Sequence, residues 1–161
     1  MSFGEINRQE WKETLEVIDY ILENSRKLIL IRGNHDIALG HIAKKRAISL
    51  VEYYKIKNII VLHGHKLILN SLNSGLIIIG HEHPAVSLKE DAKVEKYKCF
   101  LKGKYNKKTI IVMPSFNMLN EGSDVLNGGV MSPFLKQGLA DFEVFVVEDK
   151  VYRFGKIRDM K

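Results

Sequence analysis

The stretches Ile59-Ile60-Val61-Leu62-His63-Gly64-His65 and Leu76-Ile77-Ile78-Ile79-Gly80-His81-Glu82-His83 each run four aliphatic residues straight into glycine and histidine. Aliphatic runs without alternation suit strands buried on both faces, as in parallel sheets. Leu28-Ile29-Leu30-Ile31 makes a third such run and leads into Arg32-Gly33-Asn34-His35-Asp36. Five of the six histidines therefore stand at the ends of three expected strands. In α/β proteins, ligand sites lie outside the C-terminal ends of strands, where side chains from separate segments converge. Glycine beside each cluster permits the tight turns that such convergence needs.

Upstream, Asn7 and Glu10 have the spacing of a capping box. Trp11, Leu15, Ile18 and Leu22 then form one apolar stripe on a helix ending near Asn24. Asp19 lies off that stripe and is expected to face solvent. Downstream, a helical or irregular segment over 40–46 leads to strands expected over 48–56, 58–62, 75–79, 96–105, 109–113, 142–147 and 151–154. The span 117–138 reads as one long loop.

The 161 residues carry 25 Lys plus Arg against 19 Asp plus Glu, a net charge of +6. With 45% hydrophobic and 27% charged residues, the chain has the composition of one globular domain with a real core, which excludes disorder and low-complexity classes. No apolar run approaches the roughly 20 residues of a membrane span. No signal-peptide pattern opens the sequence, and the single Cys99 allows no intrachain disulfide. A cytoplasmic protein with no membrane partner is expected.

Taken singly, the histidine clusters are ambiguous. His81 and His83 fall on the same side if their segment is extended and could face one metal centre or two, but surface polar histidines read the same way. Asn34-His35-Asp36 suits a carboxamide metal ligand and a general acid with an orienting carboxylate, or a plain Asx turn. His63-Gly64-His65 is equally a polar turn. Their order and shared placement after strands strengthen the chemical reading.

Gly-Asn-His-Asp, then His-Gly-His, then Gly-His-x-His resembles the calcineurin-like metallophosphoesterase superfamily. The resemblance implies an α/β fold, an αββα sandwich of mixed sheets, over one domain spanning residues 1–161. It implies a dinuclear centre that hydrolyses a phosphate ester, as a phosphodiesterase or nuclease-like enzyme. Asn34, His63 and His81 would bind one divalent ion and His83 another; manganese is the first choice, with iron, zinc or nickel as alternatives. His35 would contact the phosphate and protonate the leaving oxygen, with Asp36 holding its tautomer. The superfamily's early Asp-x-His and Gly-Asp motifs have no counterpart, and only Asp19 and Asp36 of the seven aspartates lie in the first 90 residues. The chain thus reads as such a domain lacking its first βαβ segment, to be completed by a homo-oligomer or a complementing N-terminal segment. The other reading is a catalytically silent remnant that binds one metal or nucleic acid.

Met113 to Asn117, Glu121 to Val125 and Ser132 to Leu135 resemble the archaeal phosphoesterases related to bacterial ligase-associated DNA-repair enzymes. From the residues alone, Ser115 and Asn117 are candidate phosphate contacts on a loop, and His65 is a further candidate substrate contact. Lys96, Lys98, Lys102 and Lys104 share one parity of a strand whose other parity carries Tyr97, Cys99 and Leu101. That cationic face suits a nucleic-acid partner or the solvated flank of an edge strand. Cys99 is expected in the core, and His41 is expected to have no catalytic role.

Overall fold

The computed structural model describes residues 8–36, 39–68, 73–90 and 93–160. The chain is α/β, with two compact units divided between Tyr54 and Lys55. No described helix is long and apolar enough to cross a membrane.

In the first unit, helix α1 (Arg8–Asn24) follows the expected stripe: Ile18 is buried and Trp11, Leu15 and Leu22 are half-buried. The proposed cap at Asn7 lies outside the described residues. Strand β1 (Ile29–Ile31), helix α2 (Leu39–Lys45) and strand β2 (Ser49–Val51) form a βαβ unit in which β1 and β2 run parallel. The two strands form a sheet of their own. All three residues of β1 are half-buried, which corrects the expectation of burial on both faces; a two-stranded sheet cannot enclose its own strands.

Asp19 keeps the solvent-facing side chain expected of it, 40% exposed, and in addition carries an ion pair. Arg46, just past α2, donates Nε–H to Oδ1 at 2.6 Å and Nη2–H to Oδ2 at 2.7 Å, a forked pair that ties α1 to the end of α2. The Arg46 hydrogen bonds hold the Asp19 carboxyl below its ordinary value of 3.8. A carboxyl depressed on folding contributes stability above its ordinary value and loses that contribution as the pH falls through the depressed one. Urea unfolding followed by Trp11 fluorescence should therefore show a loss of stability between about pH 5 and pH 3 that is smaller in Asp19→Asn. Identical pH profiles for the two proteins would remove the pair from the acid response.

Strand β3 (Tyr53–Ile56) crosses the boundary; Glu52 separates it from β2, so residues 48–56 are two short strands where one was expected. The second unit adds β4 (Ile59–Leu62), β5 (Leu76–Ile79), β6 (Pro84–Glu90), β7 (Lys93–Tyr105), β8 (Lys108–Val112), β9 (Ser123–Asp124), β10 (Glu143–Val147) and β11 (Val151–Lys156). Its sheet runs in the order β11-β10-β7-β8-β5-β4. β4, β5 and β8 are parallel and in level register, Leu62 beside Ile79 and Ile79 beside Val112. β7 runs antiparallel to β8 and β10, while its first half pairs with β6. Lys102 therefore lies where β7 is flanked on both sides, whereas Lys96 and Lys98 lie on the half paired with β6. β6, absent from the sequence reading, begins with proline, the position in a strand where the missing N–H costs least.

One face of this sheet is fully enclosed: Ile60, Leu62, Ile77, Ile79, Ile110, Val112, Leu101, Cys99, Val144 and Val146 are buried. Burial pushes the Cys99 thiol up to about 12, which leaves it a core residue. Phe134 meets Tyr105 with ring centroids 5.0 Å apart, and the Phe142 ring lies against Gly103. A Cβ at Gly103 would sit 2.5 Å from that ring. Gly103→Ala should cost about 1–3 kcal/mol in thermal or chemical unfolding through overpacking. An unchanged midpoint would show that Phe142 can move aside freely.

Candidate functional site

Level register delivers the C-terminal ends of β4 and β5 to one place. Gly80 and His81 both donate backbone N–H to the His63 carbonyl, at 3.0 and 2.8 Å, which clamps the two strand ends together. His63, His65 and His81 consequently cluster. Their ring centroids lie 5.1 Å (63 to 65), 4.8 Å (63 to 81) and 6.2 Å (65 to 81) apart. Gly64, between the first two, has φ +101° and no room for a side chain, since a Cβ would lie 2.8 Å from the Cβ of Ile79.

His63 Nδ1 and His65 Nδ1 are 3.1 Å apart, so in this contact one ring carries the proton and the other accepts it. For two neutral imidazoles, the donor then presents a lone pair at Nε2 and the acceptor presents an N–H there. The pair thus offers one ligand nitrogen and one proton donor.

His83 does not share this arrangement. β5 ends at Ile79, residues 81 and 82 form a turn, and His83 has φ +48°, so His81 and His83 are not the same-side residues of an extended segment. Asn120 Nδ2 lies 3.1 Å from His83 Nδ1, while Asn120 Oδ1 accepts the Gly122 N–H at 2.9 Å. The Gly122 bond fixes the amide orientation. Asn120 therefore donates to Nδ1, and a neutral His83 carries its proton at Nε2. Gly122 is itself required here, because with φ +87° a Cβ would fall 2.5 Å from the His83 carbonyl oxygen.

Two further residues have roles that the sequence reading did not assign to them. Glu82, between the two histidines, is 0% exposed and accepts N–H bonds from Met131 at 3.0 Å and Ser132 at 2.8 Å. Ser132 Oγ donates onward to the Gly64 carbonyl at 2.7 Å. A carboxylate thus secures the His63-Gly64-His65 turn through one intermediary. Lys98 is the other, its ammonium donating to the carbonyls of Ser115 and Asn117. The Asn117 side chain accepts the Leu119 N–H at 2.9 Å and so closes its own turn.

In the first unit, Asn34, His35 and Asp36 follow β1 and are exposed; Asp36 Oδ2 accepts the Gly33 N–H at 2.7 Å. His41 is exposed on α2.

The fold has a solved counterpart. The chain is similar to the crystal structure of nuclease MPE from Pseudomonas putida, with a TM-score of 0.59, 18% sequence identity and 88% of this chain covered. At that identity the likeness shows a shared fold. The match spans 60% of the nuclease chain. No family model and no curated protein matches the sequence.

The donors at the cluster are imidazole nitrogens, suited in kind to a transition-metal ion. Among the described residues, however, no group of three or more His, Cys, Asp and Glu side chains is placed to hold an ion. The cluster fits such an ion in donor chemistry and leaves part of the coordination to other ligands.

Proposed function

We propose that this chain hydrolyses a phosphate ester, as a phosphodiesterase or nuclease-like enzyme, with a divalent metal ion held by His63 and His81. The observation that carries this reading is the convergence of His63, His65 and His81 at the ends of two parallel strands. The fold likeness to a nuclease supports it. Manganese is the first candidate, with iron, zinc or nickel as alternatives. Such an ion supplies a Lewis acid for the phosphoryl oxygens.

The chain's own residues have distinct roles in this proposal. With His63 binding through Nε2, its Nδ1–H is donated to His65 Nδ1, and His65 would offer its Nε2–H to a phosphate oxygen. His83 either donates Nε2–H to the substrate or serves a second ion, and the latter requires giving up the Asn120 contact. Ser115 and Asn117 are the proposed polar contacts beside the site. In the first unit, Asn34 is a proposed donor to metal and His35 the proposed acid for the leaving oxygen, with Asp36 orienting it.

A second reading, a silent remnant that binds one metal or nucleic acid, draws on the incomplete ligand set. Metal analysis after dialysis against Mn²⁺ separates the two. Two ions per chain contradict the remnant. One ion or none, together with no turnover of a chromogenic phosphodiester, would remove the enzyme reading.

A further inference from the structure

We propose that the buried carboxylate of Glu82 is the counter-charge of the imidazole cluster: it ligates nothing itself, and its negative charge raises the affinity of His63 and His81 for a divalent cation. The inference rests on the metal-dependent reading above and adds to it a source of charge balance.

The isolation of this group carries the inference. Glu82 is fully buried. Both of its oxygens are turned to backbone donors: the Met131 N–H lies 3.2 Å from Oε1 and 3.0 Å from Oε2, and the Ser132 N–H lies 2.8 Å from Oε2. The side chain donates nothing in return, which is the behaviour of an ionised carboxylate. Among the described residues, no lysine, arginine or histidine forms an ion pair with it. Two amides stabilise such a charge without neutralising it, and a buried charge that lacks a counter-ion is costly to fold around.

The imidazole cluster has the opposite deficit. Neutral imidazoles bind a divalent ion through lone pairs and leave both of its charges uncompensated. The two deficits lie close together. Glu82 stands between His81 and His83 in the chain. Its Oε2 also reaches the Gly64 carbonyl through Ser132, by bonds of 2.8 and 2.7 Å, which places it within about 9 Å of the turn between His63 and His65. Gly64 and Ser132, the residues along that path, are both buried. Protein and not water therefore fills the gap, and attraction between a carboxylate and a divalent cation persists over it.

Equilibrium dialysis of the full chain against Mn²⁺, without substrate, tests the counter-charge, because two variants separate charge from shape. Glu82→Gln keeps an oxygen where Oε2 now takes both N–H bonds and removes the charge. Glu82→Asp keeps the charge and withdraws it from both donors. Glu82→Gln should weaken Mn²⁺ binding by about tenfold or more, while Glu82→Asp stays within about threefold of the wild type. A purely structural carboxylate predicts the reverse order. Wild-type affinity in Glu82→Gln, or weaker binding by Glu82→Asp than by Glu82→Gln, overturns the proposal and leaves the metal site standing. Should thermal melting show that Glu82→Gln does not fold, Glu82→Asp decides alone, and a loss of about tenfold there overturns the proposal. A wild type that binds no Mn²⁺ removes the metal-dependent reading, and the counter-charge falls with it.

Discussion

If the proposed function holds, His81→Ala should lower Mn²⁺-dependent hydrolysis of a chromogenic phosphodiester by more than about 100-fold, because losses of 10- to 100-fold already follow removal of groups that only support a metal ligand. His81 is the position to change because its ring faces His63 at 4.8 Å while its backbone N–H bonds the His63 carbonyl. The backbone bond survives the substitution, so the strand ends stay clamped and the lost group is the imidazole alone. Titrating Mn²⁺ against both proteins at fixed substrate distinguishes a weakened ion site, where high metal restores the rate, from loss of a proton-transfer group, where it does not. Equal rates for wild type and variant across the titration would sink the proposed enzyme.

The largest stability effect is expected at Glu82. Its buried carboxylate takes the N–H groups of Met131 and Ser132, and truncation leaves at least the Ser132 donor without its partner in the interior. Hydrogen bonds to charged groups are worth about 1.5–3 kcal/mol each, and an orphaned buried donor carries its own penalty. Glu82→Ala should therefore cost about 3 kcal/mol or more, a fall of roughly 6–12 °C in Tm for a chain of this size. Ser132→Ala removes only the Oγ bond to the Gly64 carbonyl and should cost about 1 kcal/mol. A Glu82→Ala protein melting within a degree or so of the wild type would mean that the 131–132 backbone finds other partners.

Much of this arrangement is legible in the sequence where one signal dominates. The aliphatic runs 59–62 and 76–79 become parallel strands, and the histidines that follow them come together because register places both ends level. The α1 stripe and the inward parity of Cys99 and Leu101 follow from periodicity in the same way. What was hidden depended on partners distant in sequence. β1 reads as a buried strand because its composition cannot reveal that it belongs to a two-stranded sheet. Glu82 reads as a polar spacer because its partners lie 49 and 50 residues downstream. Lys98 reads as one more surface cation, although it fastens carbonyls 17 and 19 residues away. His83 could be placed only once the turn after β5 and Asn120 were known.

β7 adds a consequence for how the second unit opens. Residues 99–102 are bonded to β8 or β10, residues 93–98 to β6, and Cys99 and Leu101 are enclosed. A strand shared in this way cannot detach piecemeal, so its central amides exchange with solvent only when the whole sheet comes apart. The loop at 113–119 hangs from the same strand by a single ammonium group. Release of β7 removes that tie, while Met113 stays bonded to the Ile79 carbonyl and Asn120 to His83. Lys98 thus couples the enclosed centre of the sheet to a surface loop.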